Sequence, residues 1–470
     1  MSALRLTLDW VAKATRGRIV AGEPAQEIGE VVTDTRTLKP GDCFVALKGP
    51  NFDGHSFVAD AVRQGATSVI VESRAAAGAG PQAGATVGAV VVDDTLRALQ
   101  ELAHAVRVAA GTKVIAITGS AGKTTTKETI AAFLATQFSV VKNKGNLNNH
   151  IGLPLSLMQL RTKPDVAVME LGMNHAGEIS TLVAIAEPDV RVWTNVGDAH
   201  LGFFASPAAI ADAKAEILER SERDQVLISN ADDPLITPRV FAFAGRSITF
   251  GITNDADVRA TEVEDLGVDG TRARVRTPAG ERTIETPLLG RGNLLNVLAA
   301  TAVALDAGVP LDTIVAAARQ LMPADRRGSV RKLGRGVTLI DDSYNSSPAA
   351  VRKALDVLAR ESRGTRRIAV LGEMLELGEH STRLHQEIGA AAAASGLQRL
   401  FAVGGPAAQA MAAAAIAAGL PAAAVNYFTK SDEAAPAVTA ALRAGDLVLV
   451  KGSRGTRTDL VADRIAEEFA

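Results

Sequence analysis

Cysteine is nearly absent. Cys43 is the only one in 470 residues, so no internal disulfide can form and a reducing compartment suits the chain. Aromatic residues are scarce too, at 4% with two Trp and two Tyr, which leaves Ala, Val and Leu to build the cores. Neither charge sign is in excess. Lys and Arg number 50 against 52 Asp and Glu, a formal net charge of −2, so the basic surplus that neutralises a phosphate backbone is missing and general nucleic-acid binding is disfavoured. Long apolar runs are also missing. Arg5, Asp9 and Lys13 interrupt the amino-terminal segment where a secretory signal needs an unbroken apolar stretch, and the Ala-rich run 411–425 is broken by Gly419 and Pro421. A cytoplasmic protein without membrane insertion is expected.

What is present reads as an α/β chain. At roughly 150 residues per domain the length suggests about three domains. Residues 1–93 alternate short β-type runs (31–33, 43–47, 68–71, 90–92) with a helical stretch at 56–64, and the Gly/Ala/Pro-rich segment 75–88 reads as a surface loop. Residues 94–322 open with a helical pattern at 95–109 and then place strands at 114–118, 166–170, 190–195 and 225–230 between helices, the grammar of a mainly parallel sheet. Alternating Thr- and Val-rich segments at 246–286 suggest an antiparallel excursion, and a helix resumes at 294–307. Residues 323–470 restart the alternation, with strands at 338–341, 368–371, 400–403 and 447–450, a Rossmann-like pattern. Ligands in such sheets sit beyond the carboxyl ends of strands. Those ends read Asp341-Asp342, Gly372-Glu373, Gly404-Gly405 and Lys451-Gly452-Ser453-Arg454.

The strongest local signal is VIAITGSAGKTTTKE, residues 114–128: an apolar strand, a small-residue loop, then Gly-Lys-Thr opening a helix. Loop amides and a helix amino end supply positive potential, Lys123 adds a point charge for the β/γ-phosphates, and the Thr124 hydroxyl can meet Mg²⁺. The glycine of the common pattern is displaced, Ile117 standing five residues before Gly122 and Gly119 serving in the loop. Glu170 ends the next strand and is a candidate cation ligand, although a strand-end Glu is more often a cap or ion pair. His200 lies in a Gly-rich loop after a further strand, where a lone His is usually solvated; together with Glu170 it makes a two-metal site plausible. Lys214 sits in a helix started by Ser206 and Pro207, and local sequence alone favours a solvated helix-face lysine. Asn293 and Asn296 share a helix face, as caps or as nucleotide contacts.

Nine ordered segments together resemble the ATP-dependent Mur ligases of bacterial cell-wall synthesis, and within them the D-alanyl-D-alanine-adding kind: DTRTLKPGDCFVALKGPNFDGH (34–55), TGSAGKTTTKE (118–128), GNLNNHIGLPL (145–155), ELGMNHAGEI (170–179), TNVGDAHLGFF (194–204), AKAEI (213–217), IDDSYNSSPAAV (340–351), LGEMLELGEHS (371–381) and VLVKGSRGTRTD (448–459). The resemblance implies a small α/β UDP-binding domain, a P-loop-type central ATPase domain and a Rossmann-like carboxyl-terminal domain. It also implies a ligase joining UDP-N-acetylmuramoyl-tripeptide to D-Ala-D-Ala, acting as a monomer. By position, Thr35, Arg36, Asn51, Asp53, His55 and Asn148 would contact the UDP-linked substrate. Thr118, Gly119, Ser120, Ala121, Gly122, Lys123 and Thr124 would hold the ATP phosphates, with Asn293, Arg327 and Asp342 on the rest of the nucleotide. Thr124, Glu170, His200 and Lys214 would serve two Mg²⁺ sites, with Lys214 matching a lysine that the family carbamylates, and Lys123, Lys214 and His200 would be catalytic. Three departures stand out. Ala121 occupies a position where Asn is common, Gly292 replaces a frequent His, and Arg326 precedes Arg327 where Gly is usual, which makes either arginine a candidate for the γ-phosphate.

The chemistry follows from the parts. A carboxylate is a poor electrophile, so the ligase that the resemblance implies should phosphorylate it first; the dipeptide amine would then attack the acyl phosphate, with water kept out. Two other readings compete. A P-loop switch protein would turn over ATP without needing both an acid and an amine. A diaminopimelate- or lysine-adding ligase would carry an Asn-Pro-Arg type motif in the third domain, where LGEMLELGEHS stands instead.

Overall fold

A computed structural model describes residues 3–72, 87–198, 201–361 and 366–470. By internal contact the chain divides into two compact units, one drawn from Met1–Ala116, Phe138–Met173 and Gly177–Val190, the other from Ile117–Gln137, Asn174–Ala176 and Arg191–Ala470.

In the first unit, β1 (Arg18–Ala21), β2 (Val31–Val32), β3 (Cys43–Val45), β4 (Ser68–Glu72) and β5 (Gly88–Val92) form a five-stranded sheet of order β1-β5-β4-β3-β2. It is parallel except for β1 against β5. The middle strands are continuous apolar runs because both faces are covered; Phe44, Val69, Val71, Ala89 and Val91 pack with Val58 and Ala61 of helix Val58–Arg63. Gly88, expected in a loop, begins β5, and the rest of that expected loop falls largely outside the described residues. Helix Thr95–Ala110 follows, its first turn capped by the Asp94 side chain and its end marked by Gly111 at φ +65°.

The second sheet holds β6 (Lys113–Thr118), β7 (Val140–Lys142), β8 (Val166–Glu170), β9 (Val190–Trp193), β10 (Val226–Asn230), β11 (Arg246–Gly251), β12 (Val258–Asp265), β13 (Thr271–Thr277) and β14 (Gly280–Thr286), in the order β14-β13-β12-β11-β10-β9-β6-β8-β7. The expected antiparallel excursion over 246–286 is corrected in part. β11 runs parallel to both β10 and β12, and only β12, β13 and β14 alternate in direction. β12 starts level with the end of β11, pairing Phe250 with Val258, so a short loop needs only to step sideways, a geometry that alternation of residue types does not reveal.

The third sheet, in the second unit, contains β15 (Ser329–Lys332), β16 (Thr338–Asp342), β17 (Arg367–Gly372), β18 (Arg399–Val403), β19 (Val425–Phe428) and β20 (Leu447–Lys451), ordered β15-β16-β20-β17-β18-β19. All but β15 are parallel. Leu339, Ile368, Val370, Phe401, Val448 and Val450 form its core with Val438, Val461 and Ile465 from the flanking helices. Parallel order brings the carboxyl ends of β16, β20, β17 and β18 to one edge. Among the described residues no helix is long and apolar enough to cross a membrane.

Candidate active site

The loop 118–124 leaves buried β6 and enters helix Lys123–Leu134. Two glycines are dictated by space and torsion. A Cβ on Gly119 would fall 2.0 Å from Thr194 Oγ1, and Gly122, at φ +80°, would put one 2.4 Å from Asn296 Oδ1. The loop is braced by the segment after β9. Ser120 N–H donates to the Asn195 carbonyl at 3.0 Å and Ala121 N–H to Asn195 Oδ1 at 2.9 Å, while Asn195 Nδ2 returns a bond to the Ala121 carbonyl at 2.8 Å. Those two amides therefore shape the cradle, and the donors suited to an anion are those of the first turn of helix Lys123–Leu134. Lys123 Nζ folds back on the Gly119 carbonyl at 2.7 Å. The sequence alone does not single out Asn195, although it lies within a quoted segment; an Asn two residues past the end of an apolar strand is the available signal.

Asp233, nearly buried, extends the brace by accepting the Val196 and Leu235 N–H groups at 2.7 and 3.0 Å. Asn293 Nδ2 donates to the Leu289 carbonyl, and Asn296 Nδ2 to Asn293 Oδ1 at 3.2 Å. The two amides thus face one another beside Gly122.

Lys214 is not a solvated helix-face residue. It is 1% exposed, near the end of helix Pro207–Ala215, where its carbonyl accepts the Glu216 N–H. Burial, followed by the nearby positive charge of Lys123, holds its amine well below the usual lysine range. His200 lies outside the described residues. Among the described residues no group of three or more His, Cys, Asp and Glu side chains gathers as a metal-binding cluster.

In the first unit, Glu170 ends β8 almost fully buried, with Oε1 accepting from Asn148 Nδ2 at 2.8 Å and its backbone N–H donating to Asn143 Oδ1 at 3.0 Å. Asn148, expected at the substrate, thus orients Glu170. Arg36 pairs with Asp34 through Nε and Nη2 at 2.9 and 2.6 Å, which pulls the Asp34 carboxyl down. Asp53 caps the turn at Gly54–Phe57, accepting the His55 N–H at 3.0 Å, and sits 2.6 Å from His55 Nδ1; His55 Nε2 accepts the Glu72 N–H at 3.0 Å. Thr35, between Asp34 and Arg36 in sequence, is half-buried, and Asn51 is exposed.

At the carboxyl edge of the third sheet, Lys451 Nζ bonds Asp342 Oδ2 at 2.6 Å and the Asn345 carbonyl at 3.0 Å. The two arginines separate. Arg326 is spent on Asp463, reaching both carboxylate oxygens at 3.1 and 3.0 Å, whereas the Arg327 guanidinium lies 4.2 Å over the Tyr344 ring with no carboxylate paired to it among the described residues. Arg327 is the one available to an anion.

Family models match almost end to end: Mur ligase family, catalytic domain, over residues 27–107; Mur ligase middle domain over 117–304; and Mur ligase, glutamate ligase domain, over 326–454. The UDP-N-acetylmuramoyl-tripeptide–D-alanyl-D-alanine ligase of Bacillus subtilis (strain 168) is 34% identical over 469 residues, covering 99% of both chains. The ligase of that name from Escherichia coli (strain K12) is 38% identical over 376 residues, covering 80% of this chain and 81% of its own. A crystal structure of MurF from Acinetobacter baumannii superposes with a TM-score of 0.88 at 33% identity, covering 99% of this chain and 100% of that one.

Proposed function

The chain belongs to the Mur ligase family, and from that premise we propose how its residues divide the work of an ATP-dependent ligase that adds D-alanyl-D-alanine to UDP-N-acetylmuramoyl-tripeptide. The observation that carries the reaction is the near-full-length likeness to D-alanyl-D-alanine ligases, joined to a glycine-constrained phosphate loop. That likeness disfavours the diaminopimelate- or lysine-adding and switch alternatives.

Thr118, Gly119, Ser120, Ala121, Gly122, Lys123 and Thr124 hold the triphosphate in this reading, with Lys123 leaving the Gly119 carbonyl to meet the β/γ-phosphates. Asn293, Arg327 and Asp342 take the rest of the nucleotide. Thr35, Arg36, Asn51, Asp53, His55 and Asn148 serve the UDP-linked substrate. The γ-phosphoryl group passes from ATP to the tripeptide carboxylate, giving ADP and an acyl phosphate. The D-Ala-D-Ala nitrogen then bonds to the acyl carbon, loses its proton, and the bond to phosphate oxygen breaks.

Thr124, Glu170, His200 and Lys214 would hold Mg²⁺, which when bound neutralises phosphate charge. The residues fit a hard cation: Glu170 offers a buried, oriented carboxylate, and a lysine kept neutral by burial is the form that adds CO₂ to become an oxygen-donor carbamate. His200 and Lys214 are therefore assigned catalytic roles beside Lys123. Domain limits of 1–93, 94–322 and 323–470, a monomeric state and a cytoplasmic setting belong to the same reading. Labelling the tripeptide carboxylate with heavy oxygen tests the route. Released phosphate should carry one labelled oxygen, and unlabelled phosphate would overturn the acyl-phosphate step.

A further inference from the structure

One histidine outside the nucleotide loop is built into the carboxyl edge of the third sheet. His385, on helix Ser381–Ala394, is fully buried. Its Nε2 accepts the Met374 N–H at 2.9 Å, and its Nδ1 donates to the Ser381 carbonyl at 2.7 Å. These opposite roles are met together only by the neutral ring with its proton on Nδ1. The segment it holds, 373–378, has two further anchors: Leu375 N–H donates to Ser453 Oγ at 3.0 Å, and Glu373 Oε2 accepts the Gly405 N–H at 2.6 Å.

The far end of this segment meets the turn Leu201–Phe203. Gly202 N–H donates to the Glu376 carbonyl at 2.9 Å, a Cβ on Gly202 would stand 2.9 Å from that oxygen, and one on Gly378 would stand 2.9 Å from Gly202 Cα. Backbone meets backbone, so no side chain is available to absorb an error in position. The contact is only as accurate as the hold on residues 374–378.

Resting on the ligase reading above, we infer that His385 is a positioning residue for the ligation: in its neutral form it fixes the 374–378 backbone that docks on Gly202, and so sets the turn Leu201–Phe203, which follows His200 in sequence. Protonation would place an N–H on Nε2 against the Met374 N–H and release the segment. Burial opposes that protonation, while the Ser381 carbonyl bond and the charge of Glu373 favour it; burial prevails and the ring titrates below its usual range.

The test compares His385→Ala, His385→Gln and Gly202→Ala with wild type for ADP affinity, kcat with D-Ala-D-Ala, and the pH profile of kcat. A Gln amide can accept and donate as the neutral ring does but does not titrate. His385→Ala should keep ADP affinity and lose kcat on the order of 10-fold to 10²-fold, as for a misplacement of about 1 Å. His385→Gln should recover most of that loss and lack the acid limb of the wild-type profile. Gly202→Ala, which leaves the third sheet untouched, should reproduce the kcat loss even where His385→Ala fails to fold. Wild-type kcat in His385→Ala or Gly202→Ala, or an unchanged acid limb in His385→Gln, would overturn the inference. Wild-type turnover in the same assay tests the ligase reading itself, so the two failures are distinguishable.

Discussion

The phosphate loop and the carboxyl edge of the third sheet, both assigned to the nucleotide in the proposed reading, are built in opposite ways. The loop is one contiguous segment, 118–124, whose glycines are fixed by Thr194 and Asn296 standing where a Cβ would go. The edge is assembled from strand ends far apart in sequence, with Asp342 meeting Lys451 across 109 positions and Glu373 meeting Gly405 across 32. A contiguous site stands or falls with its backbone. A dispersed one rests on separate side-chain bonds, so its losses should be graded.

Lys123→Ala should produce the largest effect, on the order of 10²-fold or more in kcat, because it removes charge stabilisation where phosphoryl transfer develops it. Steady-state phosphate release measures it, and near-wild-type turnover would break the loop side of the comparison. Lys214→Ala should also lose most activity and regain part of it with added short-chain carboxylic acids, which replace the missing oxygen ligand. Lys214 carries a pH signature as well. Its folded amine titrates below the ordinary 10.5, so the unfolded chain binds the proton more readily and unmodified protein loses stability as pH falls below that value. Melting in CO₂-depleted buffer should therefore improve with rising pH more than melting in bicarbonate, where a carbamate no longer titrates as an amine. Identical pH dependence in the two buffers would count against modification.

Gly122→Ala should cost roughly 1–3 kcal/mol from the left-handed torsion alone, with nucleotide binding lost at the Asn296 contact. Thermal melting and ADP titration report the two parts. On the edge, Arg327→Ala should raise the KM for ATP and lower kcat by about tenfold, as for a loss of about 1.4 kcal/mol. Arg326→Ala should leave kinetics unchanged and cost at most about 1 kcal/mol of stability, since its Asp463 partner is half-exposed. Reversed behaviour of the two arginines would show that Arg326 reaches the phosphates.

What the sequence made legible follows the same division. The contiguous motif placed the loop, and β8 was expected at 166–170 and lies at Val166–Glu170, because a buried parallel strand is an unbroken apolar run bounded by turns. The strands that escaped notice, β1, β7, β15 and β19, all lie at sheet edges and are only half-buried, so the apolar signal is diluted there. Lys214 reads locally as a surface lysine, since a small-residue helix such as PAAIADAKA carries little sign of which face is covered; only the family resemblance marked it. His385 and Ser453 were illegible as partners because each acts on backbone N–H groups brought close by strand order.

The most direct test of the central claim is phosphate release with UDP-N-acetylmuramoyl-tripeptide and ATP, offering D-Ala-D-Ala, lysine or diaminopimelate in turn. Release is expected only when the UDP-linked acid and D-Ala-D-Ala are both present. Equal release with lysine or diaminopimelate, or release with ATP alone, would contradict the assignment.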